Sequence, residues 1–299
     1  MGKRRFLRVL VVLLLIAIGL GIMCYPFIAN YLFENRNDSV IKTYNDKVIN
    51  SVDEDERSAE LEKARAYNDR IYRGHVQLHD PFNEELIGNS EEEYMELLRV
   101  DGTDVMGFIR IPCIDVELPI YHGTSTEVLE AGVGHMEGTS LPVGGINTHS
   151  VLTGHTGLSN AKLFTDLIQM EDGDLFFLRV FGEDLAYEVD QILVVEPTDQ
   201  DDLYVVDGKD YCTLLTCTPY GVNSHRLLVR GIRVPYVEEY NEDSNFVRKE
   251  SESTWMWEYQ RALVLSISLL VVIVILYLII SKLRDRKRNA KSGNGGDAV

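Results

Sequence analysis

Cys217 closes the alternating run Tyr211, Thr213, Leu215, Cys217, and Arg226 follows nine residues later. Thr218-Pro219 comes directly after it, so the thiol stands at the end of a strand, where a loop can admit substrate. A guanidinium stays charged at any working pH and stabilises either a thiolate or an oxyanion. Such chemistry also needs a proton donor. The histidines are His75, His79, His122, His135, His149, His155 and His225, and His155 alone sits in a tight glycine frame, Thr153-Gly154-His155-Thr156-Gly157. Glycine on both sides lets the backbone approach closely and leaves the ring accessible.

Each of these residues also has a plainer reading. A strand cysteine can be a small hydrophobe, a turn histidine a surface group, and an arginine at a strand start a solvated or ion-paired side chain. The plainer reading is taken for Cys113, Cys212 and His225; His225 falls on the opposite strand face from Arg226. Thr213 and Thr216 are left outside the catalytic set. His75 and His79 have the i, i+4 spacing of helical metal ligands, but no cysteine or placed third ligand accompanies them, so neither metal nor cofactor is expected.

The elements that must position a thiol, an imidazole and a guanidinium are short and β-rich. Apolar alternation or β-branched content predicts strands at 106–111, 114–120, 148–153, 174–181, 184–195, 211–217 and 226–234. Strands at this spacing suggest a closed barrel or a sandwich. Helical pieces are predicted at 125–131 and 160–167, the second with Ser159 as a possible N-cap. From residue 34 to about 99 the chain is charged and carries helical spacing at Val40, Tyr44, Val48 and Val52, then Leu61 and Ala64, which reads as a helical stalk. The stalk breaks at 74–89, where Asp80-Pro81-Phe82 leaves the helical pattern because the residue before proline is pushed towards extended backbone. Either Asp80-Pro81 merely starts or ends a stalk helix, or, since proline fixes such a turn, the Phe82 ring is large enough to cover a thiol and Asp80 could pair with Arg226, the segment acts as a lid.

Two apolar stretches give the compartment. Residues 6–32 are almost uncharged and 262–280 carry no charge, enough in each case for a helix of about 20 residues to cross a hydrocarbon layer of about 30 Å. Lys3, Arg4 and Arg5 precede the first; Lys282, Arg284, Arg286, Lys287, Arg288 and Lys291 follow the second, so both ends are expected in the cytoplasm and the middle outside. A cleaved signal peptide is the competing reading for the start, but no small-x-small cleavage site is evident. Removing four basic residues of 1–33, and six basic and two acidic residues of 262–299, leaves 19 basic against 45 acidic residues, a formal charge of −26. That balance argues against nucleic acid or anionic lipid as a partner of the outer part. Cys24 lies in the first apolar stretch, leaving an odd set outside, and Cys212 and Cys217 are five apart on one strand, so they cannot easily bridge.

The combination resembles the sortase family. Thr213-Leu214-Leu215-Thr216-Cys217 matches the TLxTC signature, Thr153-Gly154-His155 the segment around the family histidine, and Asn223-Ser224-His225-Arg226-Leu227-Leu228-Val229-Arg230-Gly231 the segment holding its arginine. Asp80-Pro81-Phe82 looks like the lid motif of class C sortases, the pilin-polymerising branch, in which a second C-terminal span is also typical. The resemblance covers about 105–236. It implies a mainly-β, closed eight-stranded sortase-type barrel with short helices, and Cys217, His155 and Arg226 meeting at one groove. It further implies cleavage of a Leu-Pro-x-Thr-Gly-type sorting signal between Thr and Gly and transfer to a pilin lysine. Transfer to water would make the chain a protease; transfer to a wall-peptide amine, or a purely scaffolding barrel, are the competing functions. The organisation implied is a cytoplasmic tip and first span (1–33), a stalk with lid (34–104), the barrel (105–236), an acidic linker (237–261), a second span (262–281) and a basic cytoplasmic tail (282–299).

Overall fold

Asp210–Thr218 is a strand buried on both faces, Cys212 and Leu214 entering the main core and Leu215 a second apolar cluster, while Cys217 stays partly exposed. The computed structural model describes residues 2–74, 76–83, 91–100, 102–158, 161–237 and 254–293, in two units, 1–253 and 254–299. In the first unit eight strands close a barrel: β1 (Val105–Ile111), β2 (Val116–His122), β3 (Val133–His135), β4 (Thr148–Thr153), β5 (Leu175–Val180), β6 (Glu183–Val195), β7 (Asp210–Thr218) and β8 (His225–Val234). Their order around the barrel is β1-β2-β3-β4-β7-β8-β6-β5, with β2–β3 and β4–β7 parallel and the other pairs antiparallel. Closure leaves no open sheet edge.

Seven strands fall where alternation places them. β3 does not. Val133-Gly134-His135 is too short and too glycine-containing to signal a strand, and it is held by parallel pairing to β2, with Ile120 opposite Val133. The helical piece at 125–131 appears as Thr126–Ala131, capped by Ser125, whose hydroxyl accepts the Val128 N–H at 3.4 Å. The piece expected at 160–167 is instead a 3-10 helix, Thr165–Gln169, and Ser159 lies outside the described residues. So short a run, whose Phe164 N–H is taken by the His155 carbonyl, closes as 3-10 turns rather than an α-helix.

The charged region before the barrel is packed onto it. Helix α1 (Gly2–Ser51) is continuous from the apolar N-terminal stretch, and its buried Ile41, Tyr44 and Val48 follow helical spacing into the barrel core. The Tyr44 hydroxyl donates to the Met106 carbonyl at 2.8 Å and accepts the Phe181 N–H at 2.9 Å. Helix α2 (Glu54–Arg73), N-capped by Asp53, buries Leu61, Ala64, Tyr67 and Asn68. The Asn68 amide exchanges two hydrogen bonds with the Leu141 backbone, 2.7 and 3.0 Å. A short α3 (Glu92–Glu96) delivers buried Tyr94, and α4 is Thr126–Ala131. α1 contains one stretch, beginning at Leu14, that is long and apolar enough to cross a membrane by length and composition. The second unit is α5 (Thr254–Gly293), with an apolar portion Arg261–Tyr277 that falls short of that test.

Two barrel histidines carry a stability signature. His135 Nε2 donates to the Ser140 carbonyl at 2.8 Å, leaving Nδ1 to accept from the Tyr94 hydroxyl at 2.9 Å. His149 Nδ1 donates to the Tyr204 carbonyl at 2.9 Å, and its Nε2 accepts from the Thr213 hydroxyl at 2.7 Å. Burial pushes both down to about 4, against the opposing pull of those carbonyls. Below about pH 6.5 the unfolded chain therefore binds protons that the folded chain refuses, and stability falls as pH drops towards 4, by up to about 3 kcal/mol per histidine. Urea unfolding is expected to show a lower midpoint at pH 4.5 than at pH 7, with a shallower dependence in His149→Gln; a pH-independent midpoint contradicts this account.

Candidate active site

Register alone brings the three sequence candidates together. In the antiparallel pair β7–β8, Cys217 is directly opposite Arg226. In the parallel pair β4–β7, Thr153 is opposite Leu215. Two residues further along each chain come His155 and Cys217, and the Gly154 N–H still bonds to the Leu215 carbonyl at 3.1 Å beyond the end of β4. The sulfur thus lies on the middle of three adjacent chains, whose spacing in a sheet is about 4.8 Å, with imidazole on one side and guanidinium on the other.

The His155 segment is locked from beneath. The Thr216 hydroxyl donates to the Gly154 carbonyl at 2.7 Å, and the Phe164 N–H donates to the His155 carbonyl at 3.0 Å. Phe164 is fully buried, and a Cβ on Gly154 would stand 2.7 Å from its ring, so only glycine fits there. Thr213 and Thr216 are both buried, their hydroxyls bonded to the His149 ring and to the Gly154 carbonyl. His225 turns away to Glu196, 3.2 Å from its Nε2, and to the Ser224 hydroxyl at 2.8 Å.

Asp80, Pro81 and Phe82 cover this group. The Asp80 carboxylate takes Arg226 in a two-point pair, Nε to Oδ1 at 2.8 Å and Nη2 to Oδ2 at 2.6 Å, with both side chains only 10–11% exposed. The remaining guanidinium nitrogen, Nη1, donates to the Asn223 and His225 carbonyls at 3.2 and 3.0 Å. The Phe82 ring lies 5.5 Å from the His155 ring, and Arg226 Cζ is 5.1 Å from the Phe82 centroid. Pro81 is buried between them in sequence. Residues 75 and 84–89 of the expected lid lie outside the described residues.

One anchor escaped the sequence reading. Leu78, 6% exposed, sits in an apolar cluster with Met136, Val151, Leu203, Leu215 and Leu228, against which Phe82, Leu193 and Val195 also pack. Its signal was the alternation Val76, Leu78 in a polar stretch just before Asp80, and the Leu78 N–H reaches the Tyr204 hydroxyl at 3.5 Å.

The covering segment also sets the electrostatics. Burial pushes the Cys217 thiol up to about 11; Arg226 pulls it down and Asp80 pushes it further up. Burial lowers His155 from its ordinary value, with Glu130 acting in the opposite sense. In this arrangement burial favours the neutral forms of both sulfur and imidazole. The guanidinium is turned to Asp80, where a developing oxyanion would otherwise bind.

Comparison with known proteins agrees with this geometry. A profile described as Sortase domain matches residues 109–234. Among curated relatives, Sortase D of Bacillus subtilis (strain 168) is 31% identical over 131 residues, covering 43% of this chain and 63% of that protein. Sortase A of Staphylococcus aureus (strain NCTC 8325 / PS 47) is 35% identical over 124 residues, covering 40% and 58%. The chain therefore spans somewhat less than two thirds of the length of these curated relatives. Solved structures overlap more fully. Sortase C1 of Streptococcus agalactiae, in complex with MTSET, superposes with a TM-score of 0.61 at 48% identity, covering 66% of this chain and 98% of that one. Sortase C of Streptococcus pneumoniae gives 0.62 at 46%, covering 67% and 98%, and sortase C-1 of Actinomyces oris gives 0.56 at 49%, covering 60% and 99%. Nearly half the residues are identical across almost the whole of chains that are all class C sortases, and the profile spans the barrel that carries Cys217, His155 and Arg226; the chain belongs to the sortase family.

Proposed function

We propose that this chain is a membrane-anchored cysteine transpeptidase that polymerises pilins. The observation that carries the reading is the placement of one thiol between an imidazole and a guanidinium on three adjacent chains of a sortase barrel. With the covering segment displaced, the Cys217 thiol passes its proton to His155 and the thiolate adds to the Thr carbonyl of a Leu-Pro-x-Thr-Gly-type signal, while Arg226 stabilises the oxyanion of the tetrahedral intermediate. Its collapse breaks the Thr–Gly bond, His155 as imidazolium gives its proton to the departing Gly amine, and a Cys217–Thr thioester remains. A pilin lysine amine then adds to the thioester, passes a proton to His155, and expels the thiolate to leave an isopeptide bond. The pilin acceptor is supported by the class C neighbours: the S. pneumoniae structure is described in terms of pilin substrate specificity, and another S. agalactiae sortase C1 comes from a pilus island. Two spans with both termini cytoplasmic, the barrel outside and no nucleic-acid partner complete the proposal.

The test is to incubate the chain with a sorting-signal peptide and a purified pilin and look by mass spectrometry for a thioester on Cys217 that pilin lysine resolves. Resolution only by a wall-peptide amine would favour anchoring, and absence of any thioester would favour a scaffold.

Asp80, Pro81 and Phe82 act in this reading as a lid that holds the groove shut and the thiol protonated. Asp80→Ala removes both the two-point pair on Arg226 and a carboxylate that raises the Cys217 pKa. Alkylation of Cys217 by iodoacetamide at pH 7 is expected to speed up, by about tenfold for each unit the thiol pKa falls. Phe82→Ala should act in the same direction by uncovering the groove. Unchanged alkylation rates in both variants would remove the lid from the proposal.

A further inference from the structure

Asn30 is a polar residue near the end of the apolar run of α1, and its side chain is fully engaged. Its Nδ2 donates to Glu34 Oε1 at 2.7 Å, one helical turn on, and its Oδ1 accepts the backbone N–H of Lys162 at 2.9 Å. Lys162 belongs to the stretch that closes back under His155. Its Nζ bonds to the Ile114 carbonyl and lies 3.3 Å from Asp166, which is 1% exposed. Two residues on, the Phe164 N–H holds the His155 carbonyl and the Phe164 ring fills the space beneath Gly154. Thr165 continues the tie, its hydroxyl accepting the Gly157 N–H at 3.1 Å. A short series of contacts thus runs from the exit of the apolar helix to the backbone of the proposed acid.

From these contacts we infer that Asn30 is a positioning residue: its side-chain oxygen fixes Lys162, and through Phe164 sets where His155 stands relative to Cys217. The inference rests on the acid role proposed for His155 only where catalysis is read out. General acid catalysis depends on hydrogen-bond reach to the leaving group, and displacements of this size act on the chemical step more than on substrate binding. Asn30 touches neither substrate nor sulfur, so its effect passes entirely through the strap. Two features make the tie specific. A backbone N–H held by a side chain from another element has a defined acceptor, and among the described residues the tie from it to His155 runs through Leu163 and Phe164, the latter a fully buried aromatic.

The test uses the full chain in detergent micelles. Asn30→Ala is compared with wild type and with Asn30→Asp made together with Glu34→Gln. The double variant keeps an acceptor for Lys162 and a donor–acceptor pair along the helix. The first readout is amide hydrogen exchange, which needs no reaction. Loss of one hydrogen bond should speed exchange at Phe164 and Gly157 roughly three- to tenfold in Asn30→Ala, with return towards wild type in the double variant. The second is cleavage of a sorting-signal peptide, where kcat should fall by a similar factor at unchanged KM and recover in the double variant. Exchange at both amides within twofold of wild type in Asn30→Ala overturns the inference, as does faster exchange that the double variant fails to reverse. A KM rise at constant kcat also overturns it. A chain that forms no thioester in any variant defeats the proposed reaction, while the exchange data still decide the strap.

Discussion

Cys217→Ala is expected to abolish thioester formation and peptide transfer, a loss of at least about 10⁴-fold, while the barrel remains folded. No other group among the described residues can take its place in register. Cys212, the neighbouring thiol, is fully buried and pushed well above its ordinary pKa, first by burial and then by Asp210. Removing the nucleophile leaves Arg226 and His155 able to polarise a carbonyl, but with no acyl acceptor on the protein. Cys217 is partly exposed at the end of β7, so its truncation opens no core cavity. Mass spectrometry of enzyme trapped with a sorting-signal peptide measures the effect directly. Transfer that persists in Cys217→Ala, with a folded barrel by circular dichroism, would sink the transpeptidase reading and leave the scaffold.

Arg226→Lys is expected to move two measurements in opposite directions. Peptide cleavage should drop by about 10²- to 10³-fold, the usual loss when one oxyanion donor is removed. Lysine keeps the charge but cannot present two parallel N–H groups to one carboxylate. It should therefore also release Asp80, which the guanidinium holds at 2.8 and 2.6 Å, and alkylation of Cys217 should become faster. A general loss of structure would slow turnover without selectively exposing the thiol, and a purely solvated arginine would change neither rate. If cleavage and alkylation both stay at wild-type levels, Arg226 has no part in the site.

The candidates that the sequence singled out lie together where neighbours along the chain are also neighbours in space. Cys217 and Arg226 lie on one hairpin, so spacing along the chain is nearly spacing in space. His155 comes from a strand more than fifty residues earlier, and its glycine frame was its sole local mark. Asp80-Pro81-Phe82 was legible because proline and a charged residue interrupt a helical pattern. The remainder depends on partners that sequence does not display. β3 exists because β2 offers it a ladder, and Leu78 matters because five distant aliphatic side chains form its seat. The stretch read as a stalk is charged on one face and buried on the other. Tyr44 and Asn68 became visible as barrel contacts only through bonds to Met106 and Leu141.

Because α1 runs unbroken from its apolar stretch to Ser51 and joins the barrel along the way, the enzyme has no leash. From Asn30 to Val48 the helix rises about 27 Å while already engaged with the barrel. With the apolar portion embedded in a bilayer, the helix would carry the cleft close above the lipid, and Pro26, inside the helix ahead of the barrel contacts, is where it can bend. A substrate would then have to present its scissile bond at that height, since the helix gives the barrel little reach of its own.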